Sequence, residues 1–103
     1  MSDADVTTEE AAVEVADGEV AEEGALAAGV LEYLAKQLVE DASQVKVEIA
    51  PGRRTGVELR LSVAPGDVGK VIGRRGRVAQ ALRTVARAAA AKEGTEIFVE
   101  ILD

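Results

Sequence analysis

"GKVIGRRGRVAQALR", residues 69–83, decides how this chain reads. The protein has 103 residues and a formal net charge of −7, yet this stretch carries Lys70, Arg74, Arg75, Arg77 and Arg83 without a carboxylate. Gly73 and Gly76 bracket two of the arginines, which predicts a tight turn using positive φ and open to the close approach of another backbone. The residues after it, "RVAQALRTVARAAAAKEG", are strong helix formers closed by Gly94, so a helix is predicted over about 77–92. The turn therefore sits at a helix N-terminus, where unpaired N–H groups and the positive end of the dipole favour an anion, and Arg74 and Arg75 add charge at its tip. Phosphate is the anion this chemistry implies. The spacing matches neither G-x-x-x-x-G-K-[ST], since Val71 follows Lys70, nor G-x-G-x-x-G, so a polyanion fits better than a mononucleotide.

Working outward, "APGD" precedes the stretch, and Asp67 is placed to cap a short helix through residues 68–72. Before it the period is two. Val45, Val47 and Ile49 alternate with Lys46 and Glu48, and after "PGRRTG" Val57, Leu59, Leu61 and Val63 alternate with Glu58, Arg60 and Ser62, which predicts two half-buried strands joined by a turn. Further upstream Leu26, Ala27, Val30, Leu31, Leu34 and Leu38 recur at three- and four-residue steps, the pattern of an amphipathic helix over residues 25–41. On the other side, "EIFVEILD" alternates again, with Ile97, Val99 and Ile101 on one face and Phe98, Glu100 and Leu102 on the other. The order helix, strand, strand, short helix, long helix, strand predicts an α+β domain, three helices on one face of a three-stranded sheet.

The acidity of the chain belongs to its first residues. Positions 1–24 hold Asp3, Asp5, Glu9, Glu10, Glu14, Asp17, Glu19, Glu22 and Glu23 and no Lys or Arg, a charge of −9, whereas residues 25–103 carry 12 basic and 10 acidic groups, a net +2. With only scattered valines to bury, segment 1–24 is expected to be a disordered extension and residues 25–103 the folded domain. The extension reads either as a solubilising arm or as an acidic arm competing with nucleic acid for the basic stretch. Cysteine and histidine are both missing, which removes disulfides, thiolate metal sites and the commonest ligand and general base, so no cofactor or metal is expected. The remaining Ser, Thr, Lys and carboxylates form no nucleophile and base pair at motif spacing, and the chain is not read as an enzyme. No signal peptide or membrane-length apolar run is present, and a cytoplasmic protein without membrane contact is expected.

"VIGRRG", an aliphatic pair before Gly-x-x-Gly with basic residues at both x positions, resembles the signature loop of the KH domain, which clamps about four nucleotides of RNA backbone. Joined to the element order above, it resembles the type II, prokaryotic arrangement. With "SVAPGDVGKVIGRRGRVAQALRTV" in a single KH unit, residues 26–102 are similar to the KhpA family of small bacterial RNA-binding proteins. The acidic extension is the departure from that family. The resemblance implies that Gly73 and Gly76 are the loop glycines and Arg74 and Arg75 the phosphate contacts. Val71 and Ile72 would then form an apolar floor between the short helix and the second strand, with Lys70 and Arg77 flanking it. The plain alternatives are that Val71 and Ile72 are core and that Arg83 and Arg87 lie on a solvated helix face.

Single-stranded RNA is the expected partner, bound with low sequence specificity, because a narrow groove holds a few splayed bases and neither Tyr33 nor Phe98 lies near the loop in sequence. Affinity beyond micromolar would need a second copy or a second protein. In the long helix Val78, Leu82, Val85 and Ala89 form one stripe, while Ala79, Ala86 and Ala90 extend the apolar surface toward a second face that either accepts a neighbouring helix or reflects helix propensity alone. The resemblance implies a homodimer, and a heterodimer with a larger KH-containing protein of the KhpB type, also called EloR or Jag, in control of cell elongation and division. Two function classes stay open, an RNA-binding protein acting as an RNA chaperone or post-transcriptional regulator, and an adaptor whose KH fold serves protein contacts.

Overall fold

The computed structural model describes residues 23–102; the acidic extension, up to residue 22, lies outside the described residues. Six elements follow one another: α1 (Ala25–Leu38), β1 (Lys46–Pro51), β2 (Val57–Ser62), α2 (Val68–Ile72), α3 (Arg77–Lys92) and β3 (Ile97–Ile101). Short 3-10 turns stand at Ala42–Gln44, Pro65–Asp67 and Arg74–Gly76. The sheet order is β1-β2-β3, with β1 antiparallel to β2 and β3 parallel to it. This is the α-β-β-α-α-β order and mixed sheet of a type II KH fold, as expected.

The two-residue period of the strands places Val57, Leu59, Leu61, Ile97 and Val99 under the helices, all of them buried. The helices meet them with small residues. Ala27, Ala28, Leu31 and Ala35 of α1 and Ala79, Leu82, Ala86 and Ala90 of α3 are buried, so alanine faces bring the two helices close together over the sheet. Leu31, Leu59 and Leu61 are fully buried, and each contributes about 1.5–3 kcal/mol of transfer free energy. The alanine face expected to accept a neighbouring helix is thus occupied by α1 of the same chain.

Two sequence expectations change at Asp67. The first helix ends at Leu38, not residue 41, because the N–H groups of Glu40 and Asp41 donate to the Asp67 carboxylate at 3.2 and 3.1 Å instead of to helical carbonyls. Asp67 makes no side-chain cap on α2. Its carboxylate is turned the other way, 3% exposed, and ties the end of α1 to the start of α2. Those hydrogen bonds, the one from Asp41 first, hold its carboxyl below the ordinary carboxylate range.

Candidate functional site

The turn between α2 and α3 is built by its backbone. Gly73 adopts φ 77° and ψ 173°, and its N–H closes α2 by donating to Gly69 O at 2.8 Å. Arg75 follows at φ 58° and Gly76 at φ 74°, with the Gly76 N–H donating to Gly73 O at 3.1 Å. A Cβ on Gly73 would overlap Val78 Cγ2 and stand 2.9 Å from Val78 N, so the turn folds back on the first turn of α3 and only glycine fits. Around Gly76 there is open space, and glycine is required there by φ alone. Arg75 is the one non-glycine residue at positive φ among the described residues, a conformation costing roughly 1–2 kcal/mol. The result is two exposed arginine side chains projecting from the turn at the N-terminus of a 16-residue helix.

The residues expected at the site separate by burial. Arg74, Arg75 and Arg77 are exposed and Gly73, Ile72 and Gly76 half-buried, but Val71 is fully buried and has no surface to offer a base. Lys70 Nζ lies 3.5 Å from Asp67 Oδ1, which gives that cation a partner within the fold. β2 is the central strand, paired on both sides, and the strand with an outer edge beside α3 is β3.

Residues on α3 border that edge. Arg83 Nε donates to Val99 O at 3.3 Å, and Arg87, one turn on, lines a cavity of about 400 Å³ with Thr95, Glu96, Ile97 and Phe98. These contacts fix the direction: α3 runs antiparallel to β3, with the Gly73–Gly76 turn at the Ile101 end and Arg87 at the Ile97 end. Arg83 and Arg87 therefore line the β3 border one turn apart, with Arg74 and Arg75 beyond its Ile101 end, and together they form a cationic track; Arg77, about 120° around α3 from Arg83, points away from that border. Residues 68–92 hold seven cations, Lys70, Arg74, Arg75, Arg77, Arg83, Arg87 and Lys92, and no carboxylate. The β3 edge gives no local signal in sequence, because its neighbour β2 is about 40 residues away and its partnership with α3 arises only on folding. The i, i+4 spacing of Arg83 and Arg87 was the available hint.

The outward face of the sheet has a different character. Arg60 stands among carboxylates, 3.5 Å from Glu58 and 4.0 Å from Glu48. Glu58 and Glu100 share a hydrogen bond that pushes the Glu100 carboxyl up and the Glu58 carboxyl down. With Lys46 and Arg60 against Glu48, Glu58 and Glu100, this face is near neutral, whereas the stretch 68–92 of the α3 side carries cations alone. Among the described residues no group of His, Cys, Asp or Glu is arranged to hold a metal, and no helix is long and apolar enough to cross a membrane.

Residues 28–101 match the family model described as KhpA/KhpB, KH domain. The chain belongs to the KhpA/KhpB KH-domain family. It is 48% identical over 73 residues to RNA-binding protein KhpA of Clostridium acetobutylicum, a match covering 71% of this chain and 96% of that one. To RNA-binding protein KhpA of Borreliella burgdorferi it is 43% identical over 74 residues, 72% of this chain and 89% of the relative. In fold it is similar to a solved structure of Aquifex aeolicus Era bound to GDP and AlF4⁻ (TM-score 0.56, 20% identity, 81% of this chain and 31% of that one). A structure of Era in complex with MgGDPNP and nucleotides 1506–1542 of 16S ribosomal RNA is similar in the same way (TM-score 0.57, 20% identity, 91% and 35%). In this KhpA/KhpB chain the family match ends at the strand that borders the cationic track and begins inside α1, leaving the acidic extension outside it.

Proposed function

We propose that this chain binds single-stranded RNA through the Gly73–Gly76 turn, with the strand continuing along α3 beside the β3 edge. The observation that carries the reading is the turn itself. Two glycines and Arg75 at positive φ aim Arg74 and Arg75 into solvent at the N-terminus of α3, in a family whose relatives are named RNA-binding proteins. Backbone N–H groups and the helix dipole meet one phosphate, and Arg74 and Arg75 meet its neighbours. Arg83 and Arg87 extend the contact, and Ile72 offers an apolar seat for a base. Because most of these contacts are to phosphate, sequence preference is low. The reading assigns no catalytic step and places the protein in the cytoplasm. The family resemblance extends it to an RNA chaperone or post-transcriptional regulator connected with cell elongation and division.

The decisive experiment replaces Arg74 and Arg75 together by Asp. Both glycines remain and only exposed side chains change, so circular dichroism and melting stay as in the wild type. RNA binding to a short single strand, measured by fluorescence anisotropy, is lost, because two positive charges beside phosphates become negative. Undiminished binding by the folded variant would exclude the turn as the site.

A second reading, that the KH fold also serves protein contacts, is favoured by one feature of α3. Val85 is 43% exposed, flanked along the helix by exposed Ala81 and Ala88. Of the stripe expected to form a dimer, Leu82 is 4% exposed and belongs to the core, and Val78 and Ala89 pack against the core from its margin. A homodimer, or a heterodimer with a KhpB-type partner, would therefore be centred on Val85.

A further inference from the structure

Residues 1–22 carry Asp3, Asp5, Glu9, Glu10, Glu14, Asp17, Glu19 and Glu22 and no cation. Their point of attachment is set by the fold. Gly24 packs against Val57, so close that a Cβ there would stand 2.7 Å from Val57 Cγ2, and the Val57 N–H donates to Glu96 O. Glu96 and Ile97 line the same cavity as Arg87. The acidic segment thus enters the domain at the Arg87 end of the cationic track, with the Gly73–Gly76 turn at the other end. The 16 residues of α3 rise about 24 Å, and 22 residues of chain reach as far as about 70 Å, so the segment can span the whole track from its root.

Charge selects where it would lie. The Arg53 and Arg54 turn is near the same end of the sheet, but it offers two cations in a cavity shared with three carboxylates, Glu58, Glu96 and Glu100, whereas Glu96 is the one carboxylate in the cavity beside Arg87. The track from Arg87 to Arg74 has no carboxylate in its own stretch of sequence, and among the described residues Arg74, Arg75, Arg77, Arg83 and Arg87 have no acidic group within salt-bridge distance. Tethering supplies an effective concentration on the order of 1 mM, so an intrinsic dissociation constant near that value already gives half occupancy.

We propose that the acidic segment 1–22 is the resident occupant of the Arg87–Arg83–Arg74/Arg75 track and is displaced by RNA. The segment competes for phosphate contacts and not for base contacts. It therefore suppresses binding that rests on charge alone and leaves strands that also seat bases at an advantage. The docking of the segment stands on the charge and geometry above, while its role as a competitor rests on the RNA reading.

The test uses the full chain with the eight carboxylates of residues 1–22 replaced by their amides (Asp→Asn, Glu→Gln), compared with the wild type at low salt. Without RNA, ¹H–¹⁵N spectra of the two proteins are expected to differ at Arg74, Arg75, Arg83 and Arg87 and to agree at Glu48, Arg60 and Arg53–Arg54. With a short single-stranded RNA, the amide variant is expected to bind roughly two- to tenfold more tightly, with the two affinities converging at high salt. Its log K against log salt slope should be near −3 for about four phosphate contacts at roughly −0.7 each. The wild-type slope is shallower, since RNA replaces an anion already present. Identical spectra along the track, or differences confined to Arg53–Arg54, would overturn the docking. Differences along the track with no change in RNA affinity would overturn the competition. Binding of RNA by neither protein would instead fail the RNA reading, and the spectra alone would still decide the docking.

Discussion

Gly73 and Gly76 look interchangeable as letters and differ in what surrounds them. Both have positive φ, but the missing Cβ of Gly73 faces the backbone and side chain of Val78, whereas that of Gly76 faces open space. Gly76→Ala is expected to cost about 1–2 kcal/mol, the left-handed penalty for an L side chain. Gly73→Ala is expected to cost clearly more and to push the turn away from α3, because the new atom meets backbone that cannot swing aside. Urea unfolding of the two variants measures the difference. Equal losses would mean that the turn does not rest on α3. Arg75 already bears a left-handed conformation with a large side chain, held by glycines on either side of the Arg74–Arg75 pair, and such local strain belongs with a role for that side chain at the tip.

At the scale of elements, α3 connects every function argued for the molecule. Its N-terminus completes the turn, its Ala79, Leu82, Ala86 and Ala90 face closes the core against α1 and the sheet, its Arg83 and Arg87 border β3, and its remaining face shows Val85 to solvent. These faces do not overlap, so they can be altered separately. Val85→Glu is expected to leave the fold intact, since the side chain is 43% exposed, and to shift a micromolar homodimer to monomer in analytical ultracentrifugation. A folded variant that remains dimeric would move the interface elsewhere. The apolar residues of the stripe therefore divide by depth, with Leu82 inside and Val85 outside.

For the whole molecule, electrostatics divides the surface into an α3 side rich in arginine and an outward sheet face where Glu48, Glu58 and Glu100 surround Arg60. Acid acts on the two regions with opposite signs. Asp67 has a carboxyl pKa below its ordinary value of 3.8, so the stability it contributes is complete above that value and is lost as pH falls through the lower folded value. Glu100, held above its ordinary 4.5 by the hydrogen bond and charge of Glu58, takes up its proton earlier in the folded state. That contribution is greatest at acid pH and is lost as pH rises through the folded value. Asp67→Asn is expected to lower the melting temperature at neutral pH, because an amide offers one acceptor oxygen where the Glu40 and Asp41 N–H groups need two. It should also flatten the fall in stability below the ordinary carboxylate value, where the unfolded wild-type chain takes up a proton that folded Asp67 resists. A variant that keeps the wild-type acid profile would show that Asp67 is not the group that titrates with unfolding.

Much of this architecture was legible in the sequence because its causes are local. The alternation of Val57, Leu59 and Leu61, the three- and four-residue steps of α1, and the Gly-Arg-Arg-Gly turn before a helix each express relations among residues a few positions apart. The element order, α3 over residues 77–92 and the exposure of Arg74 and Arg75 followed from them. What only the tertiary structure decided lies across longer separations. Asp67 reads as a helix cap until its carboxylate meets N–H groups 26 and 27 residues earlier. Val71 and Ile72 are equally apolar as letters, and only the packing of α2 against α3 buries one fully and leaves the other partly open. Alanine is too small to declare its side, and the approach of α1 turned Ala79, Ala86 and Ala90 inward. The parallel pairing of β3 with β2 made β3 the edge beside α3, so the wall opposite the arginines depends on which strands meet, a matter of closing long loops around a shared core that no local pattern records.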